Sequence, residues 1–197
     1  TAPGIDSCLC GYEMPPEIRR GDYAERMDRI AVLEGDITRL SVDAIVNAAN
    51  ESLMPGGGVC GAIHRAAGPG LWEECHALGT CDTGQAKITK GYCLPAKHVI
   101  HTVGPVWEGG GFDEDAMLAS CYRESLAIAA AHGLKSVAFP AISTGIYGLP
   151  ADRAARIAVR EVKAFLAVHA DMSVTLVCFG AASQNSLQQA LQLSTEY

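Results

Sequence analysis

Two glycine-rich segments carry the residue types best suited to holding a phosphate. The first runs Ile45-Val46-Asn47-Ala48-Ala49-Asn50-Glu51-Ser52-Leu53-Met54-Pro55-Gly56-Gly57-Gly58-Val59-Cys60-Gly61, and the second Pro140-Ala141-Ile142-Ser143-Thr144-Gly145-Ile146-Tyr147-Gly148. Glycine has no Cβ, so the backbone can approach a ligand closely, and N–H groups at the start of a following helix favour an anion. Alone, either segment is weak evidence, and a lone one reads first as a flexible strand-to-helix connection. Two of them, each fed by an apolar strand, read as a phosphate clamp.

Elements that would hold such loops are visible in the hydrophobic pattern. Strands are expected near 30–34, 43–48, 97–103, 136–141 and 173–179, and helices near 59–68, 70–78, 114–132, 151–169 and 183–193. That alternation implies a three-layer α/β fold. The run Ser173 to Phe179 is mostly apolar, as expected for a strand covered on both faces. Within 151–169, Ile157, Val159, Val162, Phe165 and Leu166 form a core side, leaving Arg153, Arg156, Arg160 and Lys163 for water. Residues 1–28 mix prolines, glycines and charges and read as an irregular N-terminal extension, with a single domain over 29–197.

Composition narrows the partners. Of the 197 residues 49% are hydrophobic and 19% charged, with no apolar run near the ~20 residues of a membrane span, so a folded globule with no membrane partner is expected. A formal charge of −7 disfavours DNA and RNA backbones, which call for a basic patch. A small anion remains compatible, because surface repulsion is screened beyond ~8 Å while loop amides act at hydrogen-bond distance. The eight cysteines include no Cys-x-x-Cys pair, which points to reduced thiols in a cytoplasmic compartment. Cys8-Leu9-Cys10 lacks the partner pair of a metal site. The chain starts at Thr1 without a signal pattern, as a trimmed or processed chain would.

Other residues have a plain reading beside a functional one. Asp36 in Gly35-Asp36-Ile37-Thr38 is suited to capping a turn. Asn47 and Asn50 end a buried-looking strand, where their amides must find partners and can brace the loop. Phe179 at a strand end reads as core. His64 reads as a packing histidine, and Cys75, His76 and Cys81 lack a fourth ligand, so no metal and no cofactor are expected.

Asn47-Ala48-Ala49-Asn50, the two glycine loops, Cys81-Asp82-Thr83-Gly84, Leu94-Pro95-Ala96-Lys97 and Ile100-His101-Thr102-Val103-Gly104-Pro105 together resemble the macrodomain family, specifically its MacroD-type branch, over about residues 30–190. The resemblance implies an α/β/α macrodomain with a mixed central sheet and ADP-ribose or O-acetyl-ADP-ribose as ligand. ADP-ribosylated proteins are the implied macromolecular partners, and many relatives hydrolyse ADP-ribosyl esters. On this basis Gly35, Asp36 and Ile37 meet adenine, with Phe179 stacking on it. Asn50 binds the distal ribose and Asn47 supports the loop, with Ala48 and Ala49 as further implied ligand contacts. The diphosphate and distal ribose would lie against Pro55, Gly56, Gly57, Gly58, Val59 and Cys60, and against Ser143, Thr144, Gly145, Ile146, Tyr147, Gly148 and Leu149.

Two positions depart from the family pattern. Pro55 stands where many relatives have glycine and removes one donor. Cys60 stands where active MacroD-type enzymes usually carry Asp, which orients or activates water. Asn50 and position 60 are the implied catalytic pair, and a thiol supplies no permanent carboxylate. The change is compatible with an engineered substitution, a natural weakening of turnover, or a new nucleophile; no activating base for the last is evident. The expected activity is therefore O-acetyl-ADP-ribose deacetylase or mono-ADP-ribosyl (Asp/Glu ester) hydrolase, with Cys60 at the usual Asp position compatible with weakened turnover. The alternative is a non-enzymatic reader of ADP-ribosylated proteins.

Overall fold

A computed structural model describes residues 29–194; the extension 1–28 lies outside the described residues. The elements in chain order are β1 (Ile30–Glu34), a short 3-10 helix (Ile37–Arg39), β2 (Ala44–Ala49), α1 (Gly58–Ala67), α2 (Pro69–Leu78), β3 (Ala86–Lys90), β4 (His98–Val103), α3 (Glu114–Ala131), β5 (Ser136–Phe139), α4 (Ala151–Leu166), β6 (Ser173–Cys178) and α5 (Ala181–Leu193). The six strands form one sheet in the order β1-β6-β5-β2-β4-β3. All neighbouring pairs are parallel except β3 with β4. This is the expected mixed α/β sheet. No helix among the described residues is long and apolar enough to cross a membrane.

Two cores cover the two sheet faces. On one, Leu118, Leu126, Ile157, Val162 and Leu187 of α3, α4 and α5 pack against Val46, Ile100, Phe139 and Leu176. On the other, Ile63, Leu71 and Cys75 of α1 and α2 pack against Ile45, Val99, Ala138 and Val177. Alternating side chains of the central strands thus enter different cores, which is why these strands read as continuous apolar runs. β3 was not among the expected strands. It is an edge strand of five residues in which Thr89 is buried and Lys87 and Lys90 flank it, so its hydrophobic signal is short while its lysines guard an edge.

One carboxylate ties three strand starts together. Asp43 accepts from Lys97 Nζ at 2.7 Å, and from the backbone N–H groups of Lys135 at 2.9 Å and Ser136 at 3.2 Å. The Lys97 ammonium first, and then the Lys135 amide, hold its carboxyl at about 2, below the ordinary 3.8. A depressed folded pKa contributes stability above the unfolded value that is lost as pH falls through the folded one. Asp43→Ala should accordingly destabilise the fold by about 1–3 kcal/mol at neutral pH. The difference from wild type in chemical unfolding should vanish as pH falls from about 4 to about 2.

Candidate ligand-binding site

The parallel strands β1, β6, β5, β2 and β4 all end at the same sheet edge, so the segments after them share one rim. Chain direction across the sheet reverses between β5 and β2: from β2 the chain moves outward to β3 and β4 on one side, whereas from β5 it moves to β6, beside β1, on the other. Open α/β sheets bind ligands in the crevice at such a switch point. The loops flanking it are residues 50–57, after β2, and 140–150, after β5. Topology therefore brings the two glycine segments side by side.

The first loop feeds α1 through Gly57, which offers no side-chain cap, and Gly58, which adopts φ +56°. The opening N–H groups of α1 have no intrahelical partner and face the anion-favouring end of the helix dipole. Gly61 fixes the closeness of helix and loop: a Cβ there would lie 2.4 Å from the Gly56 carbonyl oxygen. The second loop is closed by Gly148 N–H on Gly145 O at 3.0 Å and Leu149 N–H on Ser143 O at 2.9 Å. Ser143, at φ 63°, turns its hydroxyl against Gly104, where a Cβ would come within 2.2 Å of it. Trp107 N–H donates to Tyr147 O at 2.8 Å, fastening this loop to the segment after β4. The contribution of Gly104 and Trp107 was not found from sequence.

At the far end of the rim, Gly35 N–H reaches Cys178 O at 3.1 Å and joins the ends of β1 and β6. Asp36 caps the 3-10 helix, accepting from Thr38 N–H at 3.0 Å and Thr38 Oγ1 at 2.7 Å. The Thr38 hydroxyl, followed by its amide, lowers the Asp36 carboxyl below its ordinary value. The Asp36 side chain is still 47% exposed, so capping and ligand contact are compatible. Phe179 is 90% exposed: the plain expectation of core packing fails, because β6 ends at Cys178 and the ring projects past the sheet.

Other expected contacts are placed differently. Ile37, Ala49, Ser143 and Leu149 are buried, so they can offer a ligand their backbone rather than their side chains. Ala48 and Val59 are half-buried, Thr144 and Tyr147 likewise, whereas Pro55, Gly56, Gly57, Gly58, Gly145, Ile146 and Gly148 are exposed. Asn50 braces its own loop: Oδ1 accepts from Ser52 Oγ at 2.7 Å and Met54 N–H at 3.2 Å, and Nδ2 donates to Met54 O at 2.9 Å. Cys60 is buried beneath the loop, its Sγ 3.7 Å from Met54 O and 3.6 Å from Asn47 Nδ2.

Beneath Cys60 lies a polar cluster that spacing along the chain does not disclose. Asn47 and His101 are register partners on β2 and β4, and Asn47 Nδ2 donates to His101 Nδ1 at 3.1 Å. His101 Nε2 stands 2.9 Å from Thr89 Oγ1 and 3.6 Å from Cys75 Sγ. Burial, with a smaller push from His64, lowers the His101 pKa to about 3, so the ring is neutral. His76 and Cys81 do not join Cys75: His76 stacks on Trp72, and Cys81 turns to Asp82 O.

The family model of the Macro domain matches residues 46–158. A Macro domain-containing protein of Methanosarcina mazei is 60% identical, covering 84% of this chain and 89% of its own length. A protein of Escherichia fergusonii named O-acetyl-ADP-ribose deacetylase is 57% identical, over 77% of this chain and 88% of its own. The Oceanobacillus iheyensis macrodomain solved with ADP superposes with TM-score 0.81 at 40% identity, covering 84% of this chain and 90% of that one. The Trypanosoma brucei macrodomain in complex with ADP-ribose gives TM-score 0.79 at 44% identity, covering 85% and 71%. The model's match over more than half the chain, supported by these relatives, shows that this chain belongs to the Macro domain family.

Proposed function

We propose that the protein binds ADP-ribose and is a MacroD-type hydrolase of O-acetyl-ADP-ribose or of ADP-ribosyl esters on protein Asp and Glu side chains. The observation that carries the reading is the pair of glycine loops meeting at the β5/β2 switch point, one of them ending in the uncapped start of α1. A diphosphate supplies the anion those amides lack. Beside it, the exposed Phe179 ring and the Asp36 turn lie at the end of the rim suited to adenine, and Asn50 lies at the opposite loop for the distal ribose. The E. fergusonii relative's name supports the ester chemistry.

In this mechanism the loop amides hold the diphosphate and Asn50 aligns the distal ribose, while water attacks the ester carbonyl. Cys60 offers no carboxylate to take the water's proton, so turnover relies on positioning and on a ligand phosphate oxygen as the proton acceptor. The reader alternative shares the binding step and lacks the turnover. Calorimetry with ADP-ribose followed by an ester-turnover assay separates the two: binding without turnover selects the reader, and no binding defeats both.

Phe179→Ala should weaken ADP-ribose binding about tenfold, within the ~1–3 kcal/mol of base stacking. Because the ring is 90% exposed, the thermal midpoint should hardly move. Asp36→Asn retains a cap and tests the carboxylate alone, whereas Asp36→Ala removes both. Unchanged affinity in Phe179→Ala and Asp36→Asn would discard this placement of adenine. We further propose a reducing, cytosol-like compartment, a reading that the six unbridged cysteines of the described residues support. Thiol labelling in intact cells checks that placement.

A further inference from the structure

We propose that His64, Cys75 and His101 form a binding site for a soft monovalent metal ion, Cu+, beneath the first glycine loop. The three residues come from α1, α2 and β4, and their ligand atoms all lie within 4.8 Å of one another. Cys75 Sγ and His101 Nε2 are 3.6 Å apart. Ligands at metal–sulfur and metal–nitrogen distances of about 2.3 and 2.0 Å on a tetrahedral or trigonal ion stand roughly 3.5–3.8 Å apart, so this edge needs almost no adjustment.

Two unpartnered groups point to the same event. His64 is 6% exposed, and both of its ring nitrogens lack a hydrogen-bond partner among the described residues. Buried polar atoms are normally paired, and a metal would satisfy one of these nitrogens. Asn47 Oδ1 is also buried without a partner, while its Nδ2 donates to His101 Nδ1. Metal on Nε2 leaves the ring proton on Nδ1, and turning the Asn47 amide over then presents Oδ1 to that N–H. A side-chain carbonyl holding the far nitrogen of a ligating histidine is the usual outer-shell arrangement. Thr89 gives up its contact with Nε2 and keeps its hydroxyl on the carbonyl of Lys90 or Val99, at 3.2 or 3.4 Å.

Charge selects the ion. Cys75 and His101 are fully buried, and one thiolate, two neutral imidazoles and Cu+ sum to zero; Zn2+ on the same set would leave a buried positive charge. A two-nitrogen, one-sulfur set also suits copper. Binding forms two metal–nitrogen bonds and one metal–sulfur bond and releases the Cys75 thiol proton to solvent, with no change of oxidation state. An entry route exists, because His64 lines an open groove with Gly56, Gly61, Arg65 and Trp72.

The test uses the full chain carrying Cys8→Ser, Cys10→Ser and Cys93→Ser, so that terminal and exposed thiols do not compete. Anaerobic titration with Cu+ buffered by bicinchoninate should load one ion per chain, with X-ray absorption reporting one sulfur and two nitrogens. Adding Cys75→Ser or His64→Phe should abolish loading. The Phe ring keeps the volume and removes both unpartnered nitrogens, so that variant should fold even where Cys75→Ser does not. Loading unaffected by His64→Phe, or a spectrum dominated by two or more sulfurs, overturns the site. One equivalent of Zn2+ bound in place of Cu+ overturns the choice of ion.

Discussion

Cys60→Asp should raise ester hydrolysis by ~10²–10⁴ if general-base action is what the cysteine forgoes, while altering ADP-ribose affinity much less. Position 60 lies in the first turn of α1, where a carboxylate gains about 0.3–1 kcal/mol from the helix dipole. Asn47 Nδ2, now 3.6 Å from the thiol, is a ready donor to one carboxylate oxygen, and the Met54 carbonyl at 3.7 Å repels the other toward the loop opening. The carboxylate would thus arrive partly satisfied by a donor already in place. Cys60→Asn has the same shape without the charge and separates proton acceptance from water positioning. Cys60→Ala asks whether the thiol itself is needed. Should turnover be high in wild type and lost in both Ala and Asp variants, a thiol nucleophile becomes the mechanism. No gain in an Asp variant that folds and binds ADP-ribose would sink the idea that the missing carboxylate limits the reaction.

The central strands were legible because burial on both faces leaves a continuous apolar run, as in Ala44–Ala49 and Ser173–Cys178. β3 was not, since an edge strand with Lys87 and Lys90 has little to bury. The glycine loops announced themselves in residue types, and topology explains their meeting: they follow neighbouring strands β2 and β5 at the switch point. What stayed hidden depends on register and orientation. Asn47 and His101 are 54 residues apart, and only the β2–β4 pairing makes them partners. Likewise, the sequence marks Phe179 as an aromatic at a strand end, but whether it packs or projects depends on where β6 stops. The side chains of Ile37, Ala49 and Leu149 are buried, which leaves these loop positions only their backbone to offer a ligand, as the resemblance implies for the Ile37 amide.

Gly145→Val should weaken ADP-ribose binding roughly 100-fold while leaving unfolding within about 0.5 kcal/mol of wild type. Gly145 is exposed, its φ lies outside the left-handed region, and a Cβ there meets nothing within 4 Å, so the free protein tolerates the side chain. The turn closed by Gly148 N–H on Gly145 O is also retained, since it uses only backbone atoms. With a diphosphate seated, the branched and rotationally stiff side chain stands between the phosphate oxygens and the loop amides. Displacing two hydrogen bonds to a charged group, at about 1.5 kcal/mol each, accounts for the predicted loss. Gly148→Ala is the contrasting control: at φ +70° it strains the turn, so its effect should appear in stability as well as in binding. Adenosine, which has no phosphate, should bind wild type and Gly145→Val alike. Equal ADP-ribose affinity for the two folded proteins would remove the second loop from the diphosphate clamp, and a parallel loss of adenosine binding would mean that the substitution disturbs the site as a whole.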